Sequence, residues 1–187
     1  MYLIVGLGNP GLEYAKNRHN VGFMAVEQLA KKAEPFGKVG FDSEKKLEAE
    51  ITKTKIGDTE IIICKPQTFM NLSGKSVSKI MDYYDVEPYN TIVISDDTNL
   101  ELGQVRVRSG GDSGGHNGLK SIISSIGQDF WRVRIGIGEN VQIPLEDYVL
   151  QNPSDAELKI IADMIDKTAD YLLESISNNS LENHTIN

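Results

Sequence analysis

The residues of this chain with the means to do chemistry fall into five short stretches. The most distinctive is Gly110-Gly111-Asp112-Ser113-Gly114-Gly115-His116-Asn117-Gly118. Five glycines in nine residues make a backbone that takes positive φ and approaches a ligand closely. His116 and Asn117 sit inside it, a helical pattern from Leu119 to Ile126 follows, and Arg106 and Arg108 precede it on a strand pattern. Exposed amides, a helix N-terminus and flanking cations describe an anion site. The plainer alternative is a flexible surface loop, against which the polar pair and the arginines weigh. The other stretches are Asn9 within Gly6-Leu7-Gly8-Asn9-Pro10-Gly11, His19 within Arg18-His19-Asn20, Met70-Asn71 within Thr68-Phe69-Met70-Asn71-Leu72-Ser73-Gly74, and the paired acids Asp96-Asp97.

A histidine with a carboxylate partner, and no serine or cysteine nucleophile beside it, points to general-base activation of water. Asp96 would fix the imidazole tautomer and favour the imidazolium formed during proton transfer. The amides of Asn9, Asn71 and Asn117 are neutral donors and acceptors suited to orienting a carbonyl, a ribose or the attacking water. The glycine-loop amides suit an oxyanion or a phosphate. The sum is hydrolysis of an ester or amide on an anionic carrier. A zinc site would compete for His19, His116 and Cys64, but no C-x-x-C or H-x-x-x-H spacing supports it. Gly6 to Gly11 also matches G-x-G-x-x-G. A dinucleotide fingerprint needs a helix opening inside the glycines and a second strand within about thirty residues. Here Asn9-Pro10-Gly11 reads as a turn, the helix pattern begins near Asn20, and the next strand pattern waits until Leu47.

The elements that must position these residues follow from periodicity. Tyr2 to Val5 is a short apolar strand. Asn20 is a candidate N-cap for a helix through Phe23, Val26, Leu29 and Ala30. Residues 34–44 read as an irregular loop. Leu47 to Cys64 reads as a hairpin turning at Gly57-Asp58, its second arm a buried strand with Cys64 in the core. Asn71 or Ser73 caps a helix carrying Val77, Ile80, Met81 and Tyr84. Thr91 to Ile94 is another buried strand ending at Asp96. Gln104–Arg108 and Trp131–Gly138 alternate, which puts Arg106 with Arg108 and Arg132 with Arg134 on single strand faces. Ser154 and Glu157 stand in capping-box spacing ahead of a long amphipathic helix through Ile161, Met164, Ile165, Ala169 and Leu172. Residues 177–187 read as a frayed tail. Alternating strands and helices give an α/β fold: a single domain over 1–187 with a mixed, mostly parallel twisted sheet and helices on both faces. In such sheets ligands sit beyond the carboxyl ends of the strands. Parallel strands would therefore gather Asn9, His19, Met70-Asn71 and Asp96 at one edge, with the glycine loop.

The chain of 187 residues is long enough for a proper core. No apolar run is long enough to span a bilayer, and Met1 to Gly6 lacks the basic start of a signal peptide. A single cysteine, Cys64, allows no internal disulfide and suits a reducing, cytoplasmic compartment. Net charge is −8, which argues superficially against a nucleic-acid partner. Residues 1–138 hold 17 basic and 17 acidic residues, whereas 139–187 hold two lysines and ten acids. The acidic excess therefore lies wholly in the last quarter, and the rest can carry a basic patch.

Taken together, the motifs above, with Tyr14, Gly114-Gly115-His116-Asn117-Gly118-Leu119-Lys120-Ser121, Arg132-Val133-Arg134-Ile135-Gly136-Ile137-Gly138 and Asp147-Tyr148-Val149-Leu150, occur in an order and spacing that resemble bacterial-type peptidyl-tRNA hydrolases to about Leu173. The resemblance implies a monomeric cytoplasmic α/β enzyme that cleaves the ester between a peptide and the tRNA 3′ ribose, recycling tRNA for translation without a cofactor or metal. By similarity His19 is the general base and Asp96 its partner. Asn9 and Asn71 contact the substrate's 3′ end and peptide, and Asn117 holds water or substrate beside Gly114. Met70 lines the peptide site with Tyr14 nearby. Arg108 and Arg134 match positions that grip the tRNA 5′ phosphate, with Lys120 a looser tRNA contact. The alternative is a non-catalytic RNA-binding relative. It predicts loss of the base, its carboxylate or the asparagines, and all of these are present. Thr98, Asn99 and Glu139 depart from the family pattern. Glu139 adds an acid near the arginines, where it would weaken phosphate binding.

Overall fold

A computed structural model describes residues 1–33 and 40–187. Its centre is an eight-stranded sheet. The strands are β1 (Tyr2–Gly6), β2 (Asp42–Glu44), β3 (Ala49–Ile56), β4 (Thr59–Pro66), β5 (Thr91–Asp97), β6 (Val105–Ser109), β7 (Trp131–Gly136) and β8 (His184–Ile186). The spatial order is β2-β3-β4-β1-β5-β7-β6-β8. The middle four, β4, β1, β5 and β7, are mutually parallel, and antiparallel strands flank them on both sides. The parallel strands carry near-continuous apolar runs such as Ile61-Ile62-Ile63-Cys64 because both of their faces are covered.

Helices α1 (Val21–Ala33) and α5 (Asp155–Ser177) cover one face. Their stripes, including Val26, Leu29, Ile161, Met164 and Leu172, pack on Ile4, Ile63, Ile94, Val107 and Val133. Helices α2 (Ser73–Tyr84) and α3 (Asn117–Ile126) cover the other, where Val77, Ile80, Leu119 and Ile122 pack on Leu3, Val5, Cys64 and Val93. A short helix, α4 (Leu145–Val149), precedes α5. The capping box at Ser154 and Glu157 forms as the spacing predicts.

Four local expectations are corrected. Asn20 does not cap α1. Its side chain accepts from the Asn9 amide and donates to the Asn9 carbonyl, both at 2.9 Å, so it clips the β1 loop to the helix start. Neither Asn71 nor Ser73 caps α2: the N-cap position is Leu72, without a side-chain cap, and Ser73 donates backward to the Met70 carbonyl. The tail does not fray. Residues 184–186 pair antiparallel with β6, held by Asn183 Oδ1 on the Ser109 amide and by the ring of His184 stacked on Tyr171 at 4.8 Å. Of the loop expected over 34–44, residues 34–39 lie outside the described residues, and 42–44 form β2.

The β1–α1 junction determines where His19 stands. Gly22 sits where the first turn of α1 touches two strands. A Cβ there would collide with the Ile94 carbonyl and with the Leu7 backbone. The missing side chain lets α1 start hard against β1 and β5, with the turn Arg18–Asn20 above the end of β5. Overpacking against backbone that cannot yield costs about 3 kcal/mol. Gly22→Ala is therefore expected to lower the melting temperature by roughly 10 °C in a thermal unfolding scan, and an unchanged melting temperature would refute the close approach.

Candidate active site

Asp96, the next-to-last residue of β5 and 3% exposed, is where the site begins. His19 Nδ1 lies 2.9 and 3.0 Å from its two carboxylate oxygens, and His116 Nε2 lies 2.9 Å from Oδ1. Burial by itself would raise the Asp96 pKa, but the two histidines outweigh it and hold the carboxyl well below its usual range. The carboxylate is therefore charged and has only acceptor sites to offer.

That fixes the protons on both rings. His116 is the N-cap of α3, and its Nδ1 accepts from the Leu119 amide at 3.2 Å. A nitrogen that accepts from an amide carries no proton, so His116 is the Nε2–H tautomer donating to Asp96. His19 must likewise present Nδ1–H to Asp96, which leaves its Nε2 as the basic nitrogen. His19, Asp96 and His116 form a two-histidine, one-carboxylate set with ligand atoms within 4.8 Å of one another. A metal would need the lone pair of His116 Nε2, and the Leu119 amide holds the proton there. The tautomer thus opposes the zinc use weighed from composition.

A cavity of about 140 Å³ opens on this set, lined by residues that include His19, Asp96, Gly114, His116, Asn117 and Arg134, with Thr98, Leu145, Glu146 and Val149 as its other walls. The glycine loop reaches it by a route that the edge rule does not anticipate. Because β6 runs antiparallel to β7, Ser109 pairs with Trp131 at the far end of the sheet, and Gly110 bonds the Phe130 carbonyl. The loop then climbs back along the sheet face over Arg134, which donates to the Asp112 carbonyl, and delivers His116 and Asn117 to the carboxyl edge.

The remaining candidates separate. Asn9 Oδ1 accepts from the Met70 amide at 2.9 Å, which joins the β1 and β4 loops. Asn9 lines a second depression of about 350 Å³ with Pro10, Phe23, Lys65 and Gln67. Met70 is buried, its sulfur 2.6 Å from where a Cβ on Gly118 would be, and it lines neither hollow. Asn71 is exposed and Tyr14 half-exposed, both outside the two hollows. Lys120 is exposed on α3. Arg108 is drawn sideways, donating to the Val107 and His184 carbonyls at 2.6 and 2.8 Å and to Thr185. Arg132 is 1% exposed, lies over the Phe130 ring and donates to the Gln128 and Phe130 carbonyls. Burial, and then Arg134 nearby, lowers its pKa to about 10.

Two parts of the site were not foreseen from sequence. One is His116 as the second partner of Asp96; its place just before the α3 pattern was the available signal. The other is Arg18, beside His19. Its guanidinium forks onto both Glu157 oxygens at 2.9 and 3.1 Å, donates to the Gln151 and Asn152 carbonyls and lies 4.3 Å over the Tyr148 ring. Tyr148 in turn donates to the Ile137 carbonyl. Burial would raise the Glu157 pKa, but hydrogen bonds from Ser154 and Arg18 lower it to about 2. One cation thus ties the His19 turn to the α4 wall and to the start of α5. No periodicity announces such a contact across some 130 residues.

Comparisons with known proteins identify the family. The family model described as peptidyl-tRNA hydrolase matches residues 3–187. The chain is 46% identical over 172 residues to a peptidyl-tRNA hydrolase of Rickettsia bellii (strain RML369-C), covering 91% of this chain and 90% of that one. It is 46% identical over 170 residues to that of Rickettsia prowazekii (strain Madrid E), covering 90% of each. The crystal structure of peptidyl-tRNA hydrolase from Acinetobacter baumannii superposes with a TM-score of 0.86 at 34% identity, covering 97% of this chain and 92% of that one. The chain belongs to the peptidyl-tRNA hydrolase family.

Proposed function

We propose that this chain hydrolyses the ester that joins a peptide to the 3′ ribose of tRNA, and that it does so as a cytoplasmic monomer that returns tRNA to translation. The observation that carries the mechanism is the buried Asp96 carboxylate accepting from both histidines, which leaves His19 Nε2 basic beside the cavity. Water between that nitrogen and the ester carbonyl gives its proton to Nε2 as its oxygen bonds to the carbonyl carbon. The tetrahedral oxyanion is met by neutral donors, of which the Asn117 side-chain amide lies in the cavity lining. The bond to the ribose oxygen then breaks. That oxygen takes the proton from the imidazolium, and the products are a peptide acid and tRNA with a free 3′ hydroxyl. Asp96 steadies the imidazolium through this cycle and stays ionised.

Met70 and Asn71 follow β4, and Tyr14 lies on the β1 loop. Asn71 and Tyr14 frame the approach of the 3′ end and the peptide, and Met70, buried against Gly118, backs the loop that carries Asn71. Arg134 on β7 supplies a cation for the phosphates of the acceptor end at the cavity, with Arg108 on β6 and Lys120 on α3 further out. The non-catalytic alternative is disfavoured because the base, the carboxylate and the three asparagines are all retained and the first two are hydrogen-bonded to each other.

With N-acetyl-aminoacyl-tRNA as substrate, the wild type is expected to release N-acetyl-amino acid. His19→Ala should turn over roughly 10²–10⁴-fold more slowly with its melting temperature preserved. Undiminished turnover in that variant would rule out the mechanism. Asp96 also makes stability depend on pH with a definite sign. Its folded pKa lies below its unfolded value of about 3.9, so its stabilisation is full above that pH and is lost as the pH falls through the folded value. Asp96→Asn should be less stable than wild type at pH 7, and urea unfolding should show the gap narrowing below about pH 4. A gap that widens on acidification would contradict the charged carboxylate.

A further inference from the structure

Two hollows open near the carboxyl edge of the sheet, and one turn divides them. His19 lines the cavity with Asp96, whereas its neighbour Asn20 lines the depression of about 350 Å³ on the other side. Asn9 borders that depression as well and is 8% exposed. Most of its polar groups are engaged: its backbone amide and carbonyl are clipped to Asn20, and its Oδ1 accepts from the Met70 amide. Its side-chain N–H groups have no partner among the described residues. A nearly buried amide with open donors beside a hollow calls for an acceptor there, such as a peptide carbonyl.

The depression is a built one. Pro10, Phe23 and Met24 give it apolar lining, and Lys65 on β4 is buried in its wall. The Lys65 ammonium lies 2.7 Å from Glu27 and 2.8 Å from Glu50, and 4.5 Å from the centre of the Phe41 ring. Burial would lower the Lys65 pKa, but its hydrogen bonds to the two carboxylates raise it. One cation therefore faces two anions, and the cluster keeps one negative charge in excess. Each carboxylate meets Lys65 through a single oxygen, and the other oxygen has no partner among the described residues. Gln67 spends its Nε2 on the Lys65 carbonyl, which leaves its Oε1 as a further acceptor. Apolar lining with an acceptor-rich, negative wall suits a side chain that has an apolar stem and a cationic tip. It repels a carboxylate.

The register gives the distance from the reacting centre. Cys64, Val5 and Val93 are level across β4, β1 and β5, so Lys65 stands two strands across from Asp96 and two residues short of it. Two strand spacings of about 4.8 Å and two rises of about 3.3 Å set them about 12 Å apart. An extended peptide advances about 3.3 Å per residue. A chain leaving the ester at His19 on the side away from Arg134 therefore brings the side chain of its third residue over the depression. We infer that this depression is an acyl-side specificity subsite, taking the side chain of the third residue counted from the ester and preferring lysine or arginine there over aspartate or glutamate. The Asn9 amide donates to a peptide carbonyl on the way. This rests on the reading of the substrate as peptidyl-tRNA.

The test measures kcat/KM for N-acetyl-Lys-Ala-Ala-tRNA and N-acetyl-Glu-Ala-Ala-tRNA, with N-acetyl-Ala-tRNA as a control too short to reach the depression. The wild type should favour the lysine substrate by about five- to tenfold, the span of one partly exposed attraction gained against one repulsion. Glu50→Gln and Gln67→Lys should each bring that ratio below about twofold while the control substrate turns over as in the wild type. Equal rates on the two long substrates, or a ratio that survives in both variants, overturns the subsite. A second arm needs no hydrolysis: the peptide acids N-acetyl-Lys-Ala-Ala and N-acetyl-Glu-Ala-Ala are titrated into ¹⁵N-labelled protein. The lysine peptide should shift the backbone amides of Asn20, Met24 and Gln67 at several-fold lower concentration than the glutamate peptide. Equal shifts from both peptides, or none at these residues, overturn the subsite as well. Absent hydrolysis of the control by the wild type, with the peptide preference intact, would count against the enzymatic reading alone.

Discussion

The Asp96 carboxylate is the constraint on which the site depends. A buried charge is costly unless it is paired and hydrogen-bonded. At the end of β5 this requirement is met by N–H groups from two histidines that lie nearly a hundred residues apart in sequence. Each donor is held by something else. His116 is fixed because it caps α3 through its other nitrogen. His19 is fixed because its turn is anchored through Arg18 to Glu157 and Tyr148 and because Gly22 lets α1 begin against the strands. One carboxylate thus orders two rings, and two distant structural devices keep the rings on the carboxylate.

The dependence runs from packing to protonation. The apolar contact of α3 with Leu3, Val5 and Cys64 sets where the Leu119 amide points. That amide decides which nitrogen of His116 carries the proton. The proton decides that Asp96 receives a donor and not a metal, and the ionised Asp96 in turn selects the tautomer of His19. A substitution in the α3 core can therefore reach the base without touching it. The arginines follow the same logic at the sheet's other flank, where the edge strand β8 orients the Arg108 guanidinium and the Phe130 ring holds that of Arg132.

Much of this was legible in the chain. The period-two and helical patterns located the middle strands and the four longer helices closely enough to gather Asn9, His19 and Asp96 at one edge, because parallel strands with covered faces write long apolar runs. The hydrolytic reading followed from residue types alone. What escaped has a common cause, which is that it depends on contacts between segments far apart in sequence. The direction of β6 sends the glycine loop the length of the sheet before it reaches the site. Asn20 spends its side chain on Asn9 and not on a helix end. Residues 184–186 look like a polar tail but complete an edge and carry off Arg108. The role of His116 was visible only as a polar residue before a helix; its second bond needs the fold.

The central claim is a tautomer pair, and it can be read directly. Long-range ¹H–¹⁵N correlation spectra of the uniformly ¹⁵N-labelled protein near neutral pH report which imidazole nitrogen of each histidine is protonated. His116 is expected as the Nε2–H form and His19 as the Nδ1–H form, with the His19 Nε2 showing the shift of an unprotonated ring nitrogen. An Nδ1–H form at His116, or an Nε2–H form at His19, would contradict it.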